Sequence, residues 1–269
     1  MDNSDKYVEK DQEVEMSFLD HLEVLRWHLV RSAIVISAVT ILAFINKSFV
    51  FDKVVLGPMH PDFFTYRVMC RISELICIDE IPFILMNINM SGQFTNHIFV
   101  SIIAGIIVSF PYVCWEIWRF VKPALHAKES KYASGVVFFS SFLFMSGVLF
   151  GYYVIAPLAI NFLGSYQVSE KVVNQINLGS FMSTVASVSL ACGLIFELPI
   201  VTYFLTKLGI IGPQIMRKYR KHALVVTLVL SAIITPPDVI SQVLVAMPLL
   251  VLYEISIRIS AFVEKSADQ

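Results

Sequence analysis

Apolar residues are grouped into six long runs that polar or charged segments separate. The runs cover residues 27–47, 94–118, 132–157, 180–207, 222–235 and 239–258. An α-helix needs about 20 consecutive apolar residues to cross a bilayer, and most of the runs are at least that long. The pattern predicts an all-α polytopic membrane protein with six transmembrane helices. Residues 1–269 then form one membrane domain, in which residues 48–93 are a long first outer loop.

The last two predicted spans are short. The run at 222–235 has only 14 residues before Pro236 and Pro237, and Pro248 interrupts the run at 239–258. A short span requires local thinning of the bilayer, or shelter by protein or water. A re-entrant segment is the alternative interpretation of the fifth run.

The distribution of basic residues predicts the orientation of the chain. With the N-terminus in the cytoplasm, 15 of the 20 Lys and Arg residues lie inside and five lie outside. An excess of basic residues is typical of cytoplasmic segments, so both termini are expected in the cytoplasm. Three of the outside five are in the long loop and Lys47 directly precedes it; charge constrains topology least in such a long loop.

Composition excludes several other classes of protein. The chain of 269 residues is 57% hydrophobic and 15% charged. Soluble domains are on average about 45–50% apolar and about 25% charged. A net charge of −1 offers no basic surface for nucleic acid. The sequence contains no recognisable catalytic motif, and its four cysteines do not have the spacing of a metal site. We therefore predict no catalytic residues, no metal and no cofactor.

Glu197 is the sharpest functional candidate, because it is a carboxylate within the fourth run. Such a residue is costly in lipid and usually faces protein or a water-filled cavity. The same helical face carries a stripe of mostly small side chains, which favours close packing or a crevice: Gly193, Leu190, Ala186 and Ser183. Pro199 predicts a kink beside the carboxylate. The alternative is a protonated carboxyl that is merely bonded to a neighbouring helix.

Two polar residues lie at the start of the sixth run. Asp238 and Gln242 are four residues apart, so they share one face of a helix. Helix capping is enough to explain Asp238. Capping explains Gln242 less well, because that side chain lies about one turn inside the span.

A cytoplasmic group of acidic and aromatic residues is the third candidate. Glu23 precedes the first run, and Glu129 follows Trp115, Trp118 and Phe120 at the exit of the second. Tryptophans at this level are common interface anchors. Carboxylates near aromatic rings suit a basic peptide, because arginine pairs with carboxylates through two hydrogen bonds and stacks on rings.

Five sequence blocks follow one another along nearly the whole chain. They are Phe18 to Arg26, Phe110 to Glu129, Phe150 to Pro157, Phe196 to Pro199 and Thr235 to Gln242. Together they resemble the TatC family, the multi-spanning receptor subunits of the twin-arginine protein translocase. The resemblance implies six spans, cytoplasmic termini and a cupped, concave shape. It also implies residence in the bacterial cytoplasmic membrane and export of folded proteins driven by the proton-motive force, without nucleotide hydrolysis.

The resemblance also implies partners and residue roles. The partners would be twin-arginine signal peptides of folded precursors, single-span TatA/TatB-type subunits, further copies of this chain and membrane lipid, but no nucleic acid. The signal-peptide contacts would be Glu129, Phe120, Glu23 and Arg26. The remaining roles would fall on Glu197 as the intramembrane polar residue, Asp238 and Gln242 as partner-helix contacts, and Pro58 in the outer loop.

One position departs from the family pattern. The family usually reads His-Leu-x-Glu-Leu-Arg in the first block, and here Val24 stands in place of the glutamate. Glu23 stands one residue earlier. One residue on a helix corresponds to a rotation of about 100°. Glu23 can therefore replace the missing carboxylate only where the segment is flexible or irregular.

The outer loop contains Cys70 and Cys77. A disulfide is chemically permitted outside the cytoplasm. Seven residues on a continuous helix span about 10.5 Å, which exceeds the roughly 4.4–6.8 Å between the Cα atoms of bridged cysteines. A disulfide between them therefore requires a turn.

A proton-coupled small-solute transporter is the rival hypothesis, with Glu197 as its proton carrier. Such transporters often contain paired repeats, and the first three runs do not resemble the last three. The cytoplasmic acidic and aromatic group also favours the translocase.

Overall fold

Helices account for almost all of the regular structure. The computed structural model describes residues 18–72, 83–121, 133–167, 169, 174–234 and 239–267. Within this part of the chain the α-helices are α1 Phe18–Ile45, α2 Phe64–Ile72, α3 Gly92–Val121, α4 Ala133–Phe150, α5 Ala156–Ser165, α6 Leu178–Phe196, α7 Leu198–Lys207, α8 Pro213–Lys218, α9 Arg220–Ile234 and α10 Val239–Ala267. The other elements are π-helical segments at Phe49–Val55 and Gly151–Ile155, a 3-10 turn at Gly57–Met59 and two short strands, β1 Ile84–Met86 and β2 Gln175–Asn177.

Five helical segments of the described chain are long and apolar enough to cross a membrane. They are Glu23–Ile45, Gly92–Val121, Gly135–Ser165, Leu178–Lys207 and Gln242–Lys265. The predicted runs at these positions are therefore confirmed as helices. The fifth predicted run forms α9, which has 15 residues. That length is about 22 Å, below the roughly 30 Å of a hydrocarbon core.

The last span is longer than the sequence predicts. Pro248 lies inside α10, which continues to Ala267 and has 29 residues. A proline removes one backbone hydrogen bond and often kinks a helix. Here Val245 and Leu249, on either side of the proline, are buried against Ile155, Val188 and Cys192, and this packing supports the helix across the proline. The prediction of a short, interrupted sixth span is wrong.

The fourth span is broken at Glu197, as Pro199 predicts. α6 ends at Phe196 and α7 begins at Leu198, with the proline in its first turn. A proline is tolerated there because the first amides of a helix have no intrahelical acceptor. The carboxylate therefore lies at the junction of two helices.

α1 and α3 form an antiparallel pair. His28 contacts Glu116, Thr40 lies beside Gly105, and Phe44 stacks on His97, so residue numbers rise along α1 as they fall along α3. A Cβ at Gly105 would collide with Thr40. This glycine therefore allows the two backbones to approach closely. α3 also packs against α4 and α6, and α4 packs along α6.

The outer loop folds around Tyr66. This side chain is 1% exposed, and its hydroxyl donates to the carbonyl oxygens of Pro58 at 3.0 Å and Pro157 at 3.3 Å. Burial raises the pKa of Tyr66, so the phenol remains a protonated donor. Tyr152 adds a second link, since its hydroxyl donates to the carbonyl of Val54 at 2.6 Å. The described parts of the loop thus pack on the span that contains α4 and α5.

The sequence does not predict the small parallel sheet. β1 pairs with β2, with Leu85 opposite Ile176, and both residues pack on an apolar core that contains Phe83 and Phe181. The fold class is therefore mostly helical rather than purely α. In α2, Cys70 is disulfide-bonded; Cys77, the other cysteine of the outer loop, lies outside the described residues.

We predict that Tyr66→Phe destabilises the outer loop. The substitution leaves the Pro58 and Pro157 carbonyls without their buried donor, and a buried polar group without a partner costs about 1–3 kcal/mol. The melting temperature of the purified protein in detergent should fall. Tyr166→Phe is the matched control, because Tyr166 is 62% exposed. This variant should have the melting temperature of the wild type. Equal melting of the two variants would contradict the role of Tyr66.

Candidate functional site

A buried polar cluster lies where α1 begins and α3 ends. His28 Nδ1 contacts Glu116 Oε2. The Tyr112 hydroxyl donates to the other carboxylate oxygen at 2.8 Å, and Arg31 Nη1 lies 4.0 Å from Oε2. We call these four residues the Glu116 cluster. It joins the two helices through polar side chains in otherwise apolar segments.

The Glu116 carboxylate is almost completely enclosed. Its side chain is 1% exposed and that of His28 is 11% exposed, whereas Arg31 is about half exposed at 47%. A buried charge requires pairing and hydrogen bonds to offset the loss of water. Both carboxylate oxygens of Glu116 have such partners. Glu116 therefore serves contacts within the chain rather than an open docking surface.

Phe120 lies one helical turn beyond Glu116. Its half-buried ring packs edge-on against His28, with 6.1 Å between the ring centroids. Arg119 lies over the exposed ring of Trp115, at 5.5 Å from its centroid. The end of α3 thus presents aromatic and cationic side chains beside the Glu116 cluster.

Glu23 and Arg26 are exposed on the first turns of α1. Glu23 is five residues from His28, a rotation of about 140°, whereas Val24 is four residues away and rotated by about 40°. α1 is regular from Phe18 onwards. The irregular backbone that would let Glu23 replace the carboxylate at Val24 is therefore absent from α1 as the structure describes it.

Glu197 ends a chain of hydrogen bonds across three helices. Cys114 Sγ in α3 donates to Ser140 Oγ in α4 at 3.2 Å, and Ser140 Oγ donates to Glu197 Oε2 at 2.8 Å. The other carboxylate oxygen, Oε1, is buried and has no partner among the described residues. Glu197 is therefore hydrogen-bonded to a neighbouring helix, as the alternative interpretation states.

The small stripe next to Glu197 is partly filled by the chain itself. A Cβ at Gly193 would lie 2.6 Å from Val148 and 2.9 Å from Phe144, both on α4. Ala186 is buried as well. At Gly193 the stripe serves close packing of α6 on α4, which is one of the two alternatives that the sequence leaves open.

Two of the remaining predicted residues have contacts within the chain. Gln242 Nε2 donates to the carbonyl of Leu228 at 3.1 Å, which joins α10 to α9. Pro58 is buried and accepts a hydrogen bond from Tyr66. Asp238 and Glu129 lie outside the described residues. The structure therefore does not bring all the predicted site residues together.

Comparison with known proteins identifies the family. Residues 20–248 match the family model TatC, Sec-independent protein translocase protein. This chain belongs to the TatC family. It is 37% identical to the Sec-independent protein translocase protein TatC of Blattabacterium sp. subsp. Periplaneta americana, over 95% of this chain and 99% of that protein. It is 34% identical to the TatC protein of Carboxydothermus hydrogenoformans, over 93% of this chain and 94% of the other.

A solved structure has the same fold. The crystal structure of a twin-arginine translocase receptor, TatC, is 32% identical and covers 93% of this chain and 100% of its own, with a TM-score of 0.70. The chain is accordingly a multi-pass membrane protein and a component of a protein translocase, a transporter-type protein.

The TatC resemblance and the charge pattern do not predict the pairing of His28 with Glu116. A usable signal exists in the sequence, since Glu116 lies inside the second apolar run and Arg31 inside the first. Ionisable residues in apolar runs usually face a partner on a neighbouring helix. Arg31 follows this rule, because its guanidinium approaches Glu116 on α3.

Proposed function

We propose that this chain is the signal-peptide receptor and core of a twin-arginine translocase in the bacterial cytoplasmic membrane. It exports folded proteins and uses the proton-motive force. The observation that carries the proposal is the position of the Phe120 ring, at the end of α3 beside the start of α1. Arginine side chains bind such a site by stacking on aromatic rings and pairing with carboxylates.

Phe120 and Glu129 form the centre of the proposed signal-peptide site. Glu23 and Arg26 lie at its edge, where Glu23 acts as an exposed charge rather than as a substitute for the residue at Val24. A lysine pair binds less well than an arginine pair, because an ammonium group cannot form two parallel hydrogen bonds to one carboxylate.

The deeper polar residues serve insertion and assembly. Glu197 contacts the inserted peptide or a partner helix through its buried Oε1, which has no partner among the described residues. Asp238 and Gln242 form the contact region for single-span TatA/TatB-type subunits, and Pro58 shapes the outer loop. The chain forms one membrane domain with six spans, in which α9 crosses a locally thinned bilayer. Both termini are cytoplasmic, the concave face holds the peptide, and several copies assemble in the complex.

A proton-coupled small-solute transporter is the second candidate. The observation that favours it is the buried carboxylate oxygen of Glu197 that has no partner in the described part of the chain. Such an oxygen could exchange a proton. The two candidates differ in whether Glu197 must ionise.

Site-specific photocrosslinking tests the proposed receptor role. A photoreactive residue at Phe120 should crosslink to a radiolabelled precursor with two arginines and much less to the same precursor with two lysines. A photoreactive residue at Phe262, which is exposed on α10, is the matched position. Equal crosslinking of both precursors at position 120 would contradict the receptor role.

We predict that Glu129→Ala weakens precursor binding and leaves folding intact. A charge-assisted hydrogen bond contributes roughly 1.5–3 kcal/mol, so the affinity for a twin-arginine peptide should fall about tenfold or more. Peptide titration of the purified protein measures this loss. Glu264→Ala removes a carboxylate from α10 and should bind as the wild type does. Wild-type affinity in Glu129→Ala would remove Glu129 from the site.

We predict different effects at two neighbouring positions of α1. Glu23→Ala should change peptide affinity less than about twofold, because an exposed ion pair contributes little. Val24→Glu should raise the affinity about two- to fivefold, since its carboxylate lies on the His28 side of the helix. Val24→Gln controls for size and polarity. A large loss in Glu23→Ala would mean that this part of α1 becomes irregular on binding.

The final variant series separates the two candidate functions at Glu197. Glutamine can still accept a hydrogen bond from Ser140, so Glu197→Gln should keep substantial export, whereas Glu197→Ala and Glu197→Leu lose more. Export of a folded twin-arginine reporter and the melting temperature are measured for each variant. Complete loss of export in Glu197→Gln at unchanged melting temperature would favour the proton carrier. If export falls only in variants whose melting temperature also falls, Glu197 has a structural role.

A further inference from the structure

Glu116 is the least exposed carboxylate among the residues whose exposure the structure describes, and the proposed function does not use the Glu116 cluster. Glu116 and His28 are both buried, come from different helices and contact each other. Neither has access to a signal peptide. Their position, one helical turn from Phe120, indicates an indirect role.

His28 contacts two residues that are one helical turn apart on α3. Its Nδ1 atom contacts Glu116, and the ring as a whole packs against the Phe120 ring in an edge-on arrangement at 6.1 Å. Because Glu116 is held from its other side by Tyr112 at 2.8 Å, the carboxylate is fixed. The His28 imidazole that packs against Phe120 therefore has a defined orientation.

We infer that His28 and Glu116 are positioning residues for signal-peptide binding, which act by fixing the Phe120 ring. This inference rests on the proposed function. The ring of Phe120 offers a face to an arginine side chain only in certain orientations. The edge-on contact with His28 restricts those orientations, and Glu116 restricts His28.

The α1/α3 pair supplies a matched control at its other end. There His97 stacks on Phe44 with 3.9 Å between the centroids, and its Nε2 lies 3.0 Å from the Phe44 carbonyl oxygen. His97 thus also joins α3 to α1 through a ring contact and a polar contact. Removal of either histidine loosens the same helix pair, but only His28 is next to Phe120.

The test measures the Kd for twin-arginine and twin-lysine peptides in full-length variants. An edge-on aromatic contact corresponds to about a two- to tenfold change in an equilibrium constant. His28→Ala and Glu116→Leu should weaken twin-arginine binding by that factor. Glu116→Gln should bind nearly as the wild type does, because its amide oxygen still accepts hydrogen bonds. His97→Ala should keep the wild-type Kd even where its melting temperature falls as far as that of His28→Ala.

A double variant supplies the decisive readout. If His28 acts through the Phe120 ring, then His28→Ala should have no further effect on Kd once Phe120 is replaced by alanine. Additive losses in His28→Ala/Phe120→Ala, or equal losses in His28→Ala and His97→Ala, would overturn the inference while the receptor role stands. Equal affinity of the wild type for the two peptides would overturn the receptor role and the inference with it.

Discussion

The cost of placing a carboxylate inside an apolar helix is the constraint on which the arrangement of the spans depends. A charge in such a segment is tolerated when a neighbouring helix supplies partners for it. Glu116 receives its partners from His28 and Arg31 on α1 and from Tyr112 on its own helix. Glu197 receives one from Ser140 on α4. Each carboxylate therefore specifies which helices must be adjacent.

α3 connects the two polar sites. Its last turns carry Cys114, which donates towards Glu197 through Ser140, and Glu116, which faces α1. The two residues are two positions apart, so they point to different sides of the helix. A rotation of α3 would disturb both sites together. Both polar sites therefore depend on the orientation of α3.

The sequence is sufficient to predict the long helices, because an apolar run of about 20 residues has few alternatives to a membrane-spanning helix. It is also sufficient to predict the break at Glu197, since Pro199 cannot continue the hydrogen bonding of the preceding helix. It fails for Pro248, because the packing of Val245 and Leu249 on Ile155, Val188 and Cys192 overrides the local effect of a proline. It fails for the β1 and β2 pair as well, because strands of three residues have no detectable period.

The pairing of His28 with Glu116 shows where sequence reasoning about the site ends. Each residue alone is consistent with a position at the membrane–water interface. Only the antiparallel register of α1 and α3 brings positions 28 and 116 together. The same register limits what α1 can offer a ligand. The least exposed residues of α1 recur at Leu25, His28, Ser32 and Val35, spaced by three and four, which defines the face towards α3. Glu23 lies off this face, so on a regular α1 its carboxylate lies away from the side that meets α3 and Phe120.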